Sequence, residues 1–188
     1  TSPNPGLFQE ETFRKGFAQL APLNVSFDAW FYHPQMPELT DLAQAFPETP
    51  IVMDHVGAPL GIGPYKGLRD EIFSQWSANV TALAKCSNVY VKLGGLAMKL
   101  TGFGHHKLDV PPSSEVLAGD WKPYLMHCIE AFGPERCMFE SNFPVDKASC
   151  AYTTLWNAFK RLTADFSASD KAALFHDTAT RFYRIEEA

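Results

Sequence analysis

Several common signatures are missing from this chain. It contains no basic run: 16 Lys and Arg stand against 21 Asp and Glu, a formal net charge of −5. That balance leaves no electrostatic footprint for nucleic acid or for an anionic membrane. No apolar stretch approaches the ~18–20 residues that a bilayer-spanning helix needs. The opening TSPNPGLFQEE lacks the charged and apolar regions of a signal peptide. A cytoplasmic protein is therefore expected. The cysteines Cys86, Cys128, Cys137 and Cys150 form no C-x-x-C pair, so a structural zinc site is not indicated. They read as free thiols in a reducing compartment, with Cys137 a small core residue. No low-complexity tract or linker divides the chain, so residues 1–188 are expected to form a single domain.

What is present suits a packed interior. Hydrophobic residues make up 46% and aromatic ones 13%, enough for one sizeable core and too many for a disordered chain. Four apolar segments recur at long intervals: LNVSFDAW (23–30), TPIVMDHVG (49–57), NVYVKLGG (88–95) and RCMFESNFP (136–144). Each reads as a buried strand ending in polar or reactive residues. Helices are predicted over residues 7–20, 36–46, 68–86, 121–132, 152–162 and 170–183. In the third, Leu68, Ile72, Trp76, Val80 and Leu83 line one face. Residues 97–119 read as a long irregular loop. Ser167-x-x-Asp170 has the form of a capping box.

Strand–helix alternation predicts an α/β fold of about four parallel strands with flanking helices. A closed (β/α)8 TIM barrel needs eight strands and ~250 residues, so half a barrel fits here. Chemistry in such folds sits at the C-terminal strand ends.

Asp54-His55 ends the second strand just before Gly57 and Pro59. A histidine there can ligate a metal, shuttle a proton or simply pack under the next loop. Asp28, Trp30 and Tyr32 alternate along the first strand, with His33 and Gln35 following. An aspartate in an apolar strand needs a partner. Asp28 either binds substrate or pairs with a cation such as Lys92. Lys92, within the third strand, wants a carboxylate, a carbonyl or a substrate anion. Glu140 and Asp146, at the fourth strand end, are placed for acid–base work or metal binding. Asn142 between them can only orient a group by hydrogen bonding. His105 and His106 read as solvated loop residues, and His127 and His176 as structural helix residues.

FDAWFYHPQMPEL, FPETPIVMDHVGAP, VYVKLGGL, FGPERCMFESNFPVD and the closing FHDTATRFYRI together resemble the amidohydrolase-related family of metal-dependent-hydrolase barrels. That family includes sugar lactonases, 2-pyrone-4,6-dicarboxylate lactonase and related decarboxylases. The resemblance implies the C-terminal half of the barrel and hydrolysis of a lactone, a cyclic ester. It matches His55 to a catalytic histidine that contacts metal or substrate, making it the candidate metal ligand, and places His33 near another metal-binding position. Asn142 falls where the family commonly has an aspartate, for which Asp146 or Glu140 could substitute; His55, Asn142 and Asp146 are the expected catalytic residues. Asp28, Trp30, His33, Gln35, Lys92 and Glu140 are the expected substrate-binding residues. The implied cofactor is one divalent metal, zinc or manganese, or none. The implied ligand is a small lactone or carboxylate.

The family's strand-one His-x-His pair does not occur in this sequence. The alternative expectation is therefore a catalytically inert barrel fragment or assembly module. Half a barrel leaves two strand edges unpaired and apolar inner faces open. Either a homo-oligomer or a completing N-terminal half is expected to cover them.

Overall fold

A computed structural model describes residues 5–186; the first four residues of TSPNPGLFQEE and the last two of the chain lie outside them. Four strands form one parallel sheet in the order β1 (Phe27–Ala29), β2 (Ile51–Met53), β3 (Val89–Leu93), β4 (Cys137–Phe139). Register pairs Asp28 with Val52, Val52 with Tyr90, and Lys92 with Met138. Helix α1 (Glu11–Phe17) precedes β1; α2 (Met36–Ala45), α3 (Arg69–Leu83) and α4 (Ser114–Phe132) connect successive strands; and α5 (Tyr152–Leu162) follows β4. The chain closes with α6 (Ala168–Ala172), a π-helical turn (Ala173–Asp177) and α7 (Thr178–Tyr183). Each parallel crossover goes through a helix, as a β/α barrel requires. The architecture is a partial TIM barrel.

The two sheet faces have separate cores. Ala29, Ile51, Met53, Val91, Leu93 and Phe139 point outward and pack with the helices, where Leu39, Trp76, Leu125 and Phe159 are buried. The inner face carries Val52, Tyr90 and Met138, and Phe182 of α7 lies against them. The Tyr90 and Phe182 rings are 4.9 Å apart. The expected bare inner face is thus corrected: the chain's own last helix folds over its apolar part. Phe182 sits far along the sequence, so no local pattern announces this contact.

Three element boundaries also differ from the sequence reading. The first helix is shorter than residues 7–20, a 3-10 turn over Leu7–Gln9 preceding α1. The first strand covers only three residues, because residues 21–24 turn back on the helix end and Asn24 takes a left-handed φ of 54°. Most of the long loop is real, but α4 starts at Ser114, not Trp121. Ser113 caps it by accepting from the Val116 amide, and Leu117 and Trp121 anchor its buried face. Gly119 and Pro123 inside α4 look like breakers in the sequence; packing overrides them. The Ser167 cap is present, its Oγ accepting from the Asp170 amide at 3.0 Å.

Arg136 is a structural residue the sequence reading did not single out. Its guanidinium donates to the carbonyls of Ala84, Cys86, Val89 and Phe132. It therefore ties the ends of α3 and α4 to the start of β3. All four cysteines are free and buried. Among the described residues no helix is long and apolar enough to cross a membrane.

Candidate functional site

The C-terminal ends of β2, β3 and β4 converge. After β2 the chain makes a left-handed turn, with φ of 54° at His55, 48° at Val56, 72° at Gly57 and 40° at Ala58. Such φ values are strained for Val and Ala. Two bonds hold the turn: Trp76 Nε1 donates to Val56 O at 2.7 Å, and the Ala58 amide donates to His55 O at 2.9 Å. The turn delivers His55 to Glu140 at the end of β4. His55 Nδ1 is 2.5 Å from Glu140 Oε1, which also accepts from the His55 amide at 3.2 Å.

Gly94 and Gly95 at the end of β3 make this approach possible. A Cβ on Gly95 would stand 2.5 Å from His55 Cβ, and one on Gly94 2.5 Å from Glu140 Cγ. Gly95 also needs its φ of 71°. The sequence showed a strand closed by two glycines; their function as spacers is visible only once β2 and β4 flank them.

Asp146 lies buried in the turn after β4, and Asn142 Nδ2 donates to its Oδ1 at 2.9 Å. Ser149, in the same turn, donates to Ala97 O at 2.6 Å, tying it to the loop after β3. Burial pushes the Asp146 carboxyl up to about 7, and the Glu140 charge adds to the rise; the Asn142 bond and the His55 charge pull the other way. Burial disfavours the His55 imidazolium. The bond to Glu140 and the charges of Glu140, Asp54 and Asp146 outweigh it, so the His55 pKa is raised.

A second group fills the inner face beneath. Lys92 Nζ donates to Asp28 Oδ2 at 2.6 Å and pairs with Asp54 Oδ1 at 2.9 Å. Tyr183 OH donates to the same Asp28 oxygen at 2.8 Å. Burial works against the Lys92 charge, but its bonds to Asp28, Tyr183 and Asp54 raise its pKa overall. Asp54 rises through burial, with Lys92 opposing. Tyr183 joins this cluster from 155 residues away in sequence, beyond the reach of any motif.

The expected site residues thus fall in three places. His55, Glu140, Asn142 and Asp146 gather at the strand ends. Trp30 stands beside them, its ring 6.1 Å from that of His55 and 5.0 Å from Tyr32, with 47% of its surface exposed. Lys92 pairs with both Asp28 and Asp54, the ion-pair reading offered for Asp28 and Lys92. His33 and Gln35 are buried. His33 Nδ1 accepts from the Leu60 amide at 3.1 Å, and burial lowers its pKa to about 4. Gln35 Oε1 accepts from the Tyr32 amide at 3.2 Å. The reading of His105 as solvated is corrected: it is buried, with Nε2 2.8 Å from Asp120 Oδ2. His105 and Asp120 are brought together when α4 begins early.

A catalytic zinc site takes three protein donors. Among the described residues no group of three His, Cys, Asp or Glu side chains is placed to hold one ion. His55 Nδ1 is already engaged by Glu140. These residues do not make a complete metal site.

Parallel strands whose C-terminal ends gather a histidine and carboxylates define half of a β/α barrel with a polar strand-end site. A family model described as Amidohydrolase matches residues 2–185. The chain belongs to the amidohydrolase family. It is 38% identical over 181 residues to an uncharacterized protein of Sinorhizobium fredii, covering 96% of this chain and 54% of that one. It is 26% identical over 177 residues to an L-fucono-1,5-lactonase of Burkholderia multivorans, covering 93% of this chain and 56% of that one. The chain thus spans about half the length of these relatives. A crystal structure of a Burkholderia multivorans amidohydrolase with bound zinc shares the fold, with a TM-score of 0.83 at 24% identity. It matches 96% of this chain over 60% of its own.

Proposed function

We propose that this chain supplies the histidine–carboxylate half of a site that hydrolyses a lactone. The observation that carries the reading is the 2.5 Å contact of His55 Nδ1 with Glu140, with buried Asp146 close enough to act on both charges. Similarity to an L-fucono-1,5-lactonase supports the substrate class.

The two shifted groups suit complementary roles. His55, kept protonated by Glu140, donates from Nε2 to the lactone carbonyl oxygen and stabilises the developing oxyanion. Asp146, held by Asn142, takes a proton from water as the water oxygen attacks the carbonyl carbon. The ring C–O bond then breaks and the leaving alkoxide takes the proton back, giving a hydroxy acid. Trp30, exposed beside His55, offers an apolar face to the ring of the substrate. Lys92, itself held by Asp28, pairs with Asp54 and so steadies the turn that carries His55.

Zinc in the similar Burkholderia protein points to a family in which a divalent metal takes part. Donors from outside this chain would have to complete such a site, and none of the steps above passes through it. Outside donors and two open strand edges together favour a homo-oligomer or a completing N-terminal half.

The test is turnover of sugar 1,5-lactones by the purified protein and its His55→Asn variant. A loss of about 10²-fold or more in kcat/KM is expected. Equal turnover by the two proteins would overturn the assignment. The second reading, an inert assembly module, is favoured by the incomplete metal-binding set among the described residues. It predicts no turnover by either protein.

A further inference from the structure

Between the loop after β2 and the loop after β3 lies a cavity of about 240 Å3 that shares no residue with the His55 cluster. Its walls include Tyr65, Lys66, Arg69, Thr101 and Tyr124. Two of these are cations, and no acidic residue lines the space. Asp70 and Glu71 follow Arg69 in the first turn of α3 but do not line it.

Arg69 is held as a binding residue would be. Its guanidinium carbon lies 4.1 Å over the Phe103 ring. Its Nη2 donates to Thr101 O at 3.3 Å and its Nη1 to Tyr124 OH at 3.4 Å. Those two bonds leave three of its five N–H donors. Among the described residues no carboxylate forms a salt bridge with Arg69. Its place as first residue of α3 adds the positive end of the helix dipole to the same wall.

The adjoining wall is stiff. Thr101 Oγ1 lies 2.8 Å from Leu96 O and 2.7 Å from Met98 O, its single proton shared between them. The Gly61 amide donates to Leu100 O at 2.8 Å. Gly61 and Gly102 meet backbone to backbone, with no room for a side chain on either. A fixed, half-buried guanidinium without a counter-charge, facing a preformed cavity, is the arrangement that recognises a planar pair of oxygens.

We propose that this cavity binds a small molecule through an oxyanion, a carboxylate or a phosphate group. Arg69 grips the two oxygens, and exposed Lys66 adds a second charge. At about 30 Å3 per water-sized group, 240 Å3 holds roughly eight such groups, the size of a small metabolite. The assignment does not depend on the lactone reading.

Calorimetric titration of the full chain with inorganic phosphate, and separately with malonate, tests the proposal. Low-salt buffer keeps the charge contribution visible. Saturable one-site binding of either anion is expected, and which one binds identifies the group. Arg69→Gln should weaken it about tenfold and Lys66→Gln about threefold. His55→Asn should leave it unchanged, which separates this site from the strand-end cluster. Should Arg69→Gln fold poorly, the Lys66→Gln result decides, since that side chain is exposed. Absence of heat with both anions at roughly 10 mM, affinity indifferent to these substitutions, or binding abolished by His55→Asn would each overturn the proposal.

Discussion

His55 Nδ1 stands 2.5 Å from Glu140 Oε1, so the ends of β2 and β4 are joined across β3, the strand that lies between them. The contact fixes the orientation of the imidazole: Nδ1 faces the carboxylate, and in the proposed reaction the protonated ring donates from Nε2.

Glu140→Gln should lower the His55 pKa toward its ordinary 6.5 or below, because it removes the charge that offsets burial. A histidine whose folded pKa is raised contributes stability that is present below 6.5 and is lost as pH climbs through the raised value. The variant should therefore lose about 1–2 kcal/mol at pH 6 and much less at high pH. Proton NMR titration of the His55 ring and urea unfolding at several pH values check both parts.

Asp146 behaves in the opposite sense from a salt-bridged aspartate. Its folded pKa of about 7 lies above the ordinary 3.8, so the native state holds a proton that the unfolded state has released. Stability must then fall as pH rises from 3.8 to 7 and level off above. Asp146→Asn removes this loss. The variant should gain on the wild type by a few kcal/mol across that window while turnover collapses. Equal pH slopes for the two proteins in thermal unfolding would rule this out.

Lys92→Met leaves Asp54 buried without its cation and Asp28 with only Tyr183. Loss of about 3 kcal/mol is expected. Adding Asp54→Asn to the same chain should restore part of it, and a double-mutant cycle by chemical unfolding measures the coupling.

Gly95→Ala places a Cβ 2.5 Å from His55 Cβ at a φ of 71°. It should destabilise by about 2–3 kcal/mol and displace His55, lowering turnover as well. Gly104, at φ 80° with nothing within 4 Å of a Cβ, is the control. Its alanine variant should lose only about 1 kcal/mol and keep full turnover.

Phe182→Ala uncovers Val52 and Met138 on the inner face. A loss of about 3–4 kcal/mol is expected, together with a larger species in sedimentation at the same concentration. A variant as stable and as small as the wild type would show that α7 does not cap this face.

Much of the architecture was legible before any coordinates. Apolar segments spaced by amphipathic helices specify parallel strands, since a strand buried on both faces reads as a continuous apolar run. The pattern predicts a helix over residues 152–162, and the structure places α5 at Tyr152–Leu162. At residues 114–120 the pattern predicts a loop where the structure has the start of α4. There Gly119 and the nearby prolines speak for a loop, and only the burial of Leu117 and Trp121 speaks for a helix.

The candidate site divides the same way. His55, Glu140, Asn142 and Asp146 could be nominated because polar residues at the tips of apolar strands have few structural reasons to be there. Their roles could not be. Glu140 and Lys92 are both charged residues near strand ends. One faces a histidine, the other two aspartates and a tyrosine, and the sequence treats them alike.

Periodicity is a local property, so the chain's own letters already dictated strands, helices and which tips carry polar groups. Pairings between elements were settled by folding alone. Tyr183 reaches Asp28, Glu140 reaches His55, and Arg69 is left facing a cavity without a carboxylate. Each depends on distances across the sheet that sequence spacing does not encode. The pKa values follow those distances, because burial and neighbouring charge act through space and not along the chain.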